Sequence, residues 1–263
     1  MKRIDSSANS RFKELRLLVE SSRERRKSGR SILDGAHLVA AYQEHVGQPE
    51  RIAVSRPGLE NPEIRALLER MKEVETVVLS DTLFKALSSV ATPTGILAVV
   101  ETPGPGPLPR EMDACVMLED LQDPGNLGSI LRSCAAAGVR HVLLSRNAVH
   151  AWSPRVLRAG MGAHFALSIY EGIDLRAAAR EFPGKRVATQ QRSSPTVFDT
   201  DLTGGLALLF GNEGAGLSPS LLAVADAVVS IPMPGKAESL NVAAAAAVCL
   251  FERVRQIRMM NDE

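Results

Sequence analysis

Polar side chains that could bind and orient a ligand follow a short apolar run near the C-terminus. Residues 226–231 predict a short buried strand, and the alanine run after Asn241 predicts a helix. A Pro-Gly loop joins the two, and it places Ser239 and Asn241 where a helix begins and its backbone N–H groups lack partners. One such residue would indicate an ordinary helix cap, but two further segments favour a site.

The second segment combines an amide and a guanidinium at the start of another predicted helix. The apolar run 114–118 and the later run 139–144 predict two strands, with a turn and a helix between them. Asn126 lies near the entrance of that helix, and Arg132 lies among small and apolar residues. Burying an unpaired charge is costly, so we expect Arg132 to reach either solvent or an anion.

The third segment is a glycine-rich turn that directly follows the apolar run 206–210. Its pattern is Gly211-x-x-Gly214-x-Gly216, and Glu213 lies at the apex. Glycine lets a backbone approach a ligand closely, so Gly211→Val is predicted to block a ligand while the chain still folds. A nicotinamide-binding motif has the opposite glycine spacing and a later acidic residue, which disfavours an NAD-dependent oxidoreductase.

In their order, the three segments resemble the three motifs of the SpoU/TrmH family, the 2'-O-ribose RNA methyltransferases with a knotted SPOUT fold. Residues 126–132 resemble the first motif, 211–217 the second, and 231–242 the third. The resemblance implies methylation of a ribose 2'-hydroxyl in structured RNA by S-adenosyl-L-methionine, with ribosomal RNA favoured. The alternatives are the same reaction on tRNA and a non-catalytic RNA-binding protein of this fold.

The same resemblance implies a role for ten residues. The predicted catalytic residues are Asn126, Arg132, Glu213, Ser239 and Asn241. The predicted cofactor-binding residues are Thr189, Gly211, Ile231, Met233 and Leu240. Arg132 would engage the 2'-hydroxyl and the adjacent phosphate, with Asn126 and Asn241 orienting it and the ribose. Glu213 would either pair with Arg132 or face the sulfonium, and the sequence leaves both roles open.

Alternating proline and glycine predict a domain boundary at residues 103–110, because they interrupt both helices and central strands. The predicted fold is α/β, with a SPOUT α/β trefoil-knot domain at 111–263. Residues 1–102 predict a smaller α/β domain that resembles the L30e/L7Ae-like substrate-binding domains of this family. Its elements are predicted as strands at 31–33, 52–54, 76–79 and 96–100 and helices at 36–45, 62–72 and 82–88.

Composition limits the remaining possibilities. No apolar run in the 263 residues is long enough for a membrane span, and the charged start is unlike a signal peptide. Cys115, Cys134 and Cys249 lie apart among apolar neighbours, which predicts buried reduced thiols. The five histidines have no metal-binding spacing. We therefore expect a cytoplasmic protein without a metal.

The net charge is only +1, but basic residues crowd the first thirty positions. This cluster predicts a footprint for RNA phosphates. We expect that deleting the chain up to Arg30 weakens RNA binding and leaves cofactor binding intact. The resemblance also implies a homodimer, to which the predicted C-terminal helix at 241–257 would contribute.

Overall fold

A computed structural model of the chain describes residues 1–88 and 92–261, and it divides into two compact units. The N-terminal unit combines Met1–Pro103 with Trp152–Phe165, and the C-terminal unit comprises Gly104–Ala151 and the chain from Ala166 onward. The sequence did not indicate that Trp152–Phe165 belongs with the N-terminal unit. The predicted domain limits stay a prediction, and their last two residues lie outside the described residues.

The N-terminal unit contains a five-stranded sheet with helices around it. Its strands are β1 (Lys2–Ile4), β2 (Arg30–Asp34), β3 (Arg51–Ser55), β4 (Glu75–Leu79) and β5 (Ile96–Glu101). Its helices are α1 (Ser10–Glu20), α2 (Ser22–Ser28), α3 (Ala36–His45), α4 (Arg56–Glu60), α5 (Pro62–Arg70), α6 (Asp81–Leu87) and α8 (Pro154–Gly160). The predicted strands and helices of this region are confirmed, whereas β1, α1, α2, α4 and α8 were not predicted.

The strand order of this sheet is β1-β4-β3-β5-β2, with parallel pairs at the β1 end and antiparallel pairs around β5. Phe12, Leu15 and Leu18 of α1 pack on this sheet together with Ile4 of β1. All four side chains are buried. The first twenty residues are therefore part of the core of the N-terminal unit, despite their high charge.

The C-terminal unit contains a six-stranded sheet. Its strands are β6 (Ala114–Leu118), β7 (His141–Ser145), β8 (Ser168–Ile173), β9 (Lys185–Thr189), β10 (Leu206–Phe210) and β11 (Ala227–Val229). Its helices are α7 (Pro124–Ala136), α9 (Leu175–Glu181), α10 (Pro219–Leu222) and α11 (Val242–Asn261). Two 3-10 helices, at Ala163–Ala166 and Val197–Asp199, complete the described elements.

All neighbouring strands of this sheet are parallel, in the order β11-β9-β10-β6-β7-β8. Every residue of β10 is buried, as expected for a central strand covered on both faces. Because the strands are parallel, the carboxyl ends of β11, β9 and β10 meet at one edge of the sheet. The predicted α/β class is confirmed, and the trefoil knot stays a prediction.

Candidate active site

A cavity of about 440 Å³ lies where β9, β10 and β11 end. This volume is in the range of small-molecule sites, roughly 300 to 1,000 Å³. All five predicted cofactor-binding residues line it: Thr189, Gly211, Ile231, Met233 and Leu240. Two predicted catalytic residues, Glu213 and Ser239, line it as well. The ends of three adjacent strands thus bring residues from distant parts of the sequence to one cavity.

The glycine-rich loop (residues 211–217) forms one wall of this cavity. The backbone N–H of Asn212 donates to the Gly216 carbonyl at 3.0 Å, and the Gly216 N–H donates back to the Asn212 carbonyl at 2.9 Å. The Asn212 side-chain oxygen accepts from the N–H groups of Gly214 and Ala215. The loop is therefore a closed turn with its polar backbone groups largely satisfied internally.

Gly211 permits this closure. A Cβ at Gly211 would lie 2.1 Å from the Gly216 carbonyl carbon and 2.2 Å from the Leu217 nitrogen. These are backbone atoms of the same loop, so the space belongs to the protein and not to a ligand. The predicted effect of Gly211→Val stays a prediction, but its physical reason changes, because the branched side chain would collide with the loop backbone before it reached a ligand.

The β6 loop (residues 119–123) is tied to the glycine-rich loop by side chains of both. The Asn212 amide nitrogen donates to the Asp120 carbonyl at 2.8 Å. The Glu119 carboxylate accepts from the backbone N–H and the hydroxyl of Ser218, at 2.6 and 2.7 Å. These bonds fix the segment that leads into α7 relative to the cavity wall.

A hydrogen-bonded relay joins the three motif segments. The Asn241 amide donates to the Asn126 side-chain oxygen at 2.8 Å, and the Asn126 amide donates to Glu213 Oε1 at 3.2 Å. Asn241 also caps α11, since its side-chain oxygen accepts from the Ala243 and Ala244 N–H groups. The relay connects the first turn of α7, the glycine-rich loop and the start of α11.

The start of α7 differs from the sequence prediction in one respect. Asp123 caps the helix by accepting from the Asn126 N–H at 2.8 Å, and Pro124 occupies the first turn, where a missing N–H costs little. Asn126 therefore lies inside the first turn instead of at the cap. Its side chain is free of capping and available to the relay.

Glu213 accepts hydrogen bonds from several donors. The backbone N–H groups of Gln122 and Asp123 donate to its carboxylate at 3.1 and 2.9 Å, in addition to the Asn126 amide. Desolvation raises the pKa of Glu213, but these hydrogen bonds together outweigh it and hold the pKa below its usual value. Glu213 is therefore an ionised group that holds the β6 loop to the glycine-rich loop.

Arg132 lies two turns beyond Asn126 on α7 and is exposed. Among the described residues its guanidinium has no hydrogen-bond or ion-pair partner, so it forms no pair with Glu213 or Asn126. It does not line the cavity. The structure thus brings nine of the ten predicted residues to the cavity or the relay, and leaves Arg132 as a free cation on the adjoining helix.

The cavity also contains polar residues that were not predicted. Gln190, Gln191 and Arg192 follow β9 directly, and Glu238 precedes Ser239. A usable signal was present, because ligands of parallel sheets bind beyond the carboxyl ends of strands. The residues that follow Thr189 were therefore candidates on position alone.

The cysteines are buried and unbridged, as predicted. Burial raises the pKa of the Cys115 thiol to about 12, and likewise that of Cys249. Within residues 1–88 and 92–261, no cluster of His, Cys, Asp and Glu is arranged to hold a metal ion. No helix in the same ranges is both long enough and apolar enough to cross a membrane.

Some of the basic residues near the N-terminus have structural partners. Arg25 is buried and donates to the Leu18 and Val19 carbonyls, at 2.6 and 3.0 Å. Arg11 pairs with Glu75, and Arg30 pairs with Glu50. By contrast, Lys2, Arg3, Lys13, Arg23 and Lys27 are exposed without a side-chain partner among the described residues. Only part of the predicted footprint is therefore free for phosphates.

The C-terminal unit is a parallel α/β sheet with a cavity beyond the carboxyl ends of its strands, which is where proteins of this class bind ligands. The SpoU rRNA methylase family model matches residues 113–251, and the MRM3-like substrate-binding domain model matches residues 9–98. The chain therefore belongs to the SpoU rRNA methylase family.

Named relatives cover nearly the whole chain. The 23S rRNA (uridine(2479)-2'-O)-methyltransferase of Streptomyces viridochromogenes is 32% identical over 95% of this chain and 91% of its own length. The 23S rRNA (guanosine(2553)-2'-O)-methyltransferase RlmP of Bacillus subtilis is 30% identical, over 95% and 98%. The crystal structure of the SpoU methyltransferase AviRb from Streptomyces viridochromogenes in complex with AdoMet is 29% identical, with a TM-score of 0.82 over 95% of this chain and 100% of that one.

Proposed function

We infer that this protein is an S-adenosylmethionine-dependent methyltransferase acting on a ribose 2'-hydroxyl of ribosomal RNA. The observation that carries this inference is the cavity lined by the second and third motif segments, to which hydrogen bonds of Asn126 tie the first segment. Relatives of similar length that modify 23S rRNA at the 2'-oxygen support the choice of RNA.

The residues of the cavity suit this cofactor. Its walls combine apolar side chains, such as Met233 and Leu240, with the backbone of the glycine-rich loop and a few charged groups. S-adenosylmethionine supplies an activated methyl group on a positively charged sulfur. Glu213, with a pKa held below its usual value, keeps a negative charge at the cavity wall. The volume and the charge of the cavity are therefore compatible with the cofactor.

In this proposal Glu213, Asn126 and Asn241 are positioning residues. Their relay fixes the first turn of α7 relative to the glycine-rich loop and the start of α11. A fixed arrangement of this kind lowers the barrier of a transfer reaction because the reacting groups need no further ordering. Ser239 lines the cavity and would contribute a hydroxyl there.

Arg132 is proposed as the catalytic residue that meets RNA. A guanidinium remains protonated in proteins and offers several donors in a planar fork. It would therefore bind a phosphate oxygen and stabilise negative charge on the 2'-oxygen, while the proton passes to water or to an RNA phosphate. Its exposure, and its lack of a partner among the described residues, leave it available for this contact.

We also propose that the protein is a homodimer. Phe251, Met259 and Met260 are exposed along α11, at 48%, 55% and 62%. Phe251 and Met259 lie about two turns apart towards one side of the helix, and exposed apolar side chains that share a helix face commonly mark an interface. Light scattering on the purified protein would give the mass of two chains if this proposal holds. The cytoplasmic location and the knot remain predictions.

A single-turnover reaction tests the proposed activity. The protein is mixed with cofactor labelled in its methyl group and with either ribosomal RNA or tRNA, and the RNA is then hydrolysed in alkali. Methylated ribose resists alkaline cleavage, so we expect label in an alkali-resistant dinucleotide from ribosomal RNA. Label on a base, or transfer only to tRNA, would contradict the proposal.

A further inference from the structure

Among the described residues, three charged side chains line the cavity, and only one of them has hydrogen-bond partners. Among the described lining residues, Arg192 carries the only positive side chain, and Glu213 and Glu238 carry the negative ones. Glu213 is held by the hydrogen bonds described above. Arg192 and Glu238 have no ion-pair or hydrogen-bond partner in the described part of the chain, including one another. Two free charges of opposite sign therefore border one cavity.

We propose that Arg192 binds the carboxylate of the amino-acid arm of S-adenosylmethionine, and that Glu238 binds its ammonium group. The proposal rests on the function inferred above and specifies how the charged end of the cofactor is held. The cofactor carries two positive groups, the sulfonium and the ammonium, and one carboxylate. The lining residues carry the complementary set of two carboxylates and one guanidinium.

The location of both residues favours a role towards the cofactor. Arg192 lies three residues after Thr189, where β9 ends, and Glu238 lies immediately before Ser239. Each thus lies within three residues of a predicted site residue, and the two line the cavity from separate segments of the chain. A planar guanidinium binds a carboxylate through two parallel hydrogen bonds. The ammonium group of a lysine side chain cannot form this pair.

Binding calorimetry with three ligands tests the Arg192 contact. S-adenosylmethionine carries both charges of the arm, decarboxylated S-adenosylmethionine lacks only the carboxylate, and methylthioadenosine lacks both the arm and the sulfonium charge. For Arg192→Gln we expect about tenfold weaker binding of S-adenosylmethionine, since a charge-assisted pair is lost. The affinities for the other two ligands should stay within about twofold. Arg192→Lys should recover only part of the loss.

The Glu238 contact predicts a different pattern. Glu238→Gln should weaken S-adenosylmethionine, its decarboxylated form and S-adenosylhomocysteine alike, because all retain the amino group, and should spare methylthioadenosine. An unchanged affinity for S-adenosylhomocysteine, which lacks the sulfonium charge, would overturn the ammonium contact. Arg180→Gln is the matched control, since Arg180 is exposed on α9 and outside the cavity lining. It removes the same charge as Arg192→Gln and should change none of the three affinities.

The results separate the proposal from its alternatives. An equal loss for all three ligands in Arg192→Gln would show a general defect of the cavity and would overturn the proposal. Unchanged cofactor affinity with weaker RNA binding would make Arg192 an RNA contact and would overturn it as well. If the unmodified protein bound none of the three ligands, the proposed function itself would fail.

Discussion

At the scale of single residues, some polar and charged groups of the site hold its geometry through hydrogen bonds, and others have no partner among the described residues. Glu213, Asn126 and Asn241 satisfy one another, and their hydrogen bonds span three segments of the C-terminal unit. Arg132 and Arg192 have no such partner among the described residues. This contrast predicts that substitutions in the first group alter stability and activity together, whereas substitutions in the second alter binding or catalysis in a folded protein.

Replacing Arg132 by lysine tests whether catalysis needs the planar guanidinium group or only its positive charge. Lysine keeps the charge but presents a single ammonium, which cannot hold a phosphate oxygen and the 2'-oxygen at once. We expect Arg132→Lys and Arg132→Ala to reduce single-turnover methyl transfer to a similar degree, roughly 100-fold or more. Both variants should bind cofactor normally, because Arg132 does not line the cavity. A rate near that of the unmodified protein for Arg132→Lys would rule out a geometric role.

The Glu213 carboxylate should make stability depend on pH. Its pKa is lower in the folded protein than in the unfolded chain, so its contribution is complete above the ordinary carboxyl pKa and is lost as the pH falls through the folded value. Glu213→Gln should therefore lower the free energy of unfolding by about 1 kcal/mol near neutral pH, discounted for its exposure. In urea titrations, the difference from the unmodified protein should shrink as the pH falls below about 4.

A control for this measurement is Glu181→Gln. Glu181 is an exposed carboxylate on α9 without a hydrogen-bond partner among the described residues. Its replacement should change the free energy of unfolding little at any pH. A Glu213→Gln deficit that stayed constant from neutral to acid pH would mean that the carboxylate charge does not stabilise the loop contact.

At the scale of elements, periodic apolar runs were sufficient to predict most of the architecture. The limits of α3 and β6 match their predicted residues, 36–45 and 114–118. Helix α1 was not predicted, because its apolar residues Phe12, Leu15 and Leu18 are interspersed with charged residues that favoured a phosphate-binding surface. Charge composition and burial are separate properties, and a charged helix can still supply a buried face.

The site was predictable where a motif lies beside a strand or helix end, and less so elsewhere. Seven of the predicted residues line the cavity because the ends of parallel strands necessarily meet. Residues 190–192 were candidates by their position after β9, but which of their side chains line the cavity depends on the tertiary course of the loop. The same limit explains why the association of Trp152–Phe165 with the N-terminal unit was not foreseen.

The glycine-rich loop predicts a contrast between two glycines. Gly211→Ala would place a methyl group within 2.1 to 2.3 Å of the backbone of Gly216 and Leu217, so we expect a stability loss. Overpacking of this kind costs roughly 1 to 3 kcal/mol. Cofactor affinity should fall as well, since the loop forms a wall of the cavity. Thermal unfolding and calorimetry measure the two effects.

Gly235→Ala is the matched control for Gly211→Ala. A Cβ at Gly235 would meet nothing within 4 Å, and Gly235 does not line the cavity. This variant should stay within about 0.5 kcal/mol of the unmodified protein. If Gly211→Ala were equally well tolerated, the closed turn would not depend on the absence of a side chain.

At the scale of the whole molecule, the first thirty residues carry a basic cluster and also contribute to the core of the N-terminal unit. Deletion up to Arg30 would remove β1 and the buried residues of α1, so it would damage the core of the N-terminal unit. That this deletion weakens RNA binding and spares cofactor binding stays a prediction, but a loss of RNA binding in the shortened chain would not isolate the effect of the charges. Charge-neutralising substitutions on the surface are the appropriate test of RNA binding.

We predict that neutralising Lys13, Arg23 and Lys27 together weakens RNA binding and its dependence on salt. All three are exposed, without side-chain partners among the described residues, so glutamine at each position leaves the core intact. If each neutralises one phosphate, the slope of log affinity against log salt should become shallower by about two to three. The matched control neutralises Arg65, Arg70 and Lys72, which are exposed at or just beyond α5. The control removes the same number of positive charges. An equal change in slope for both variants would mean that RNA responds to the overall charge of the protein, and it would contradict a phosphate-binding surface at α1 and α2.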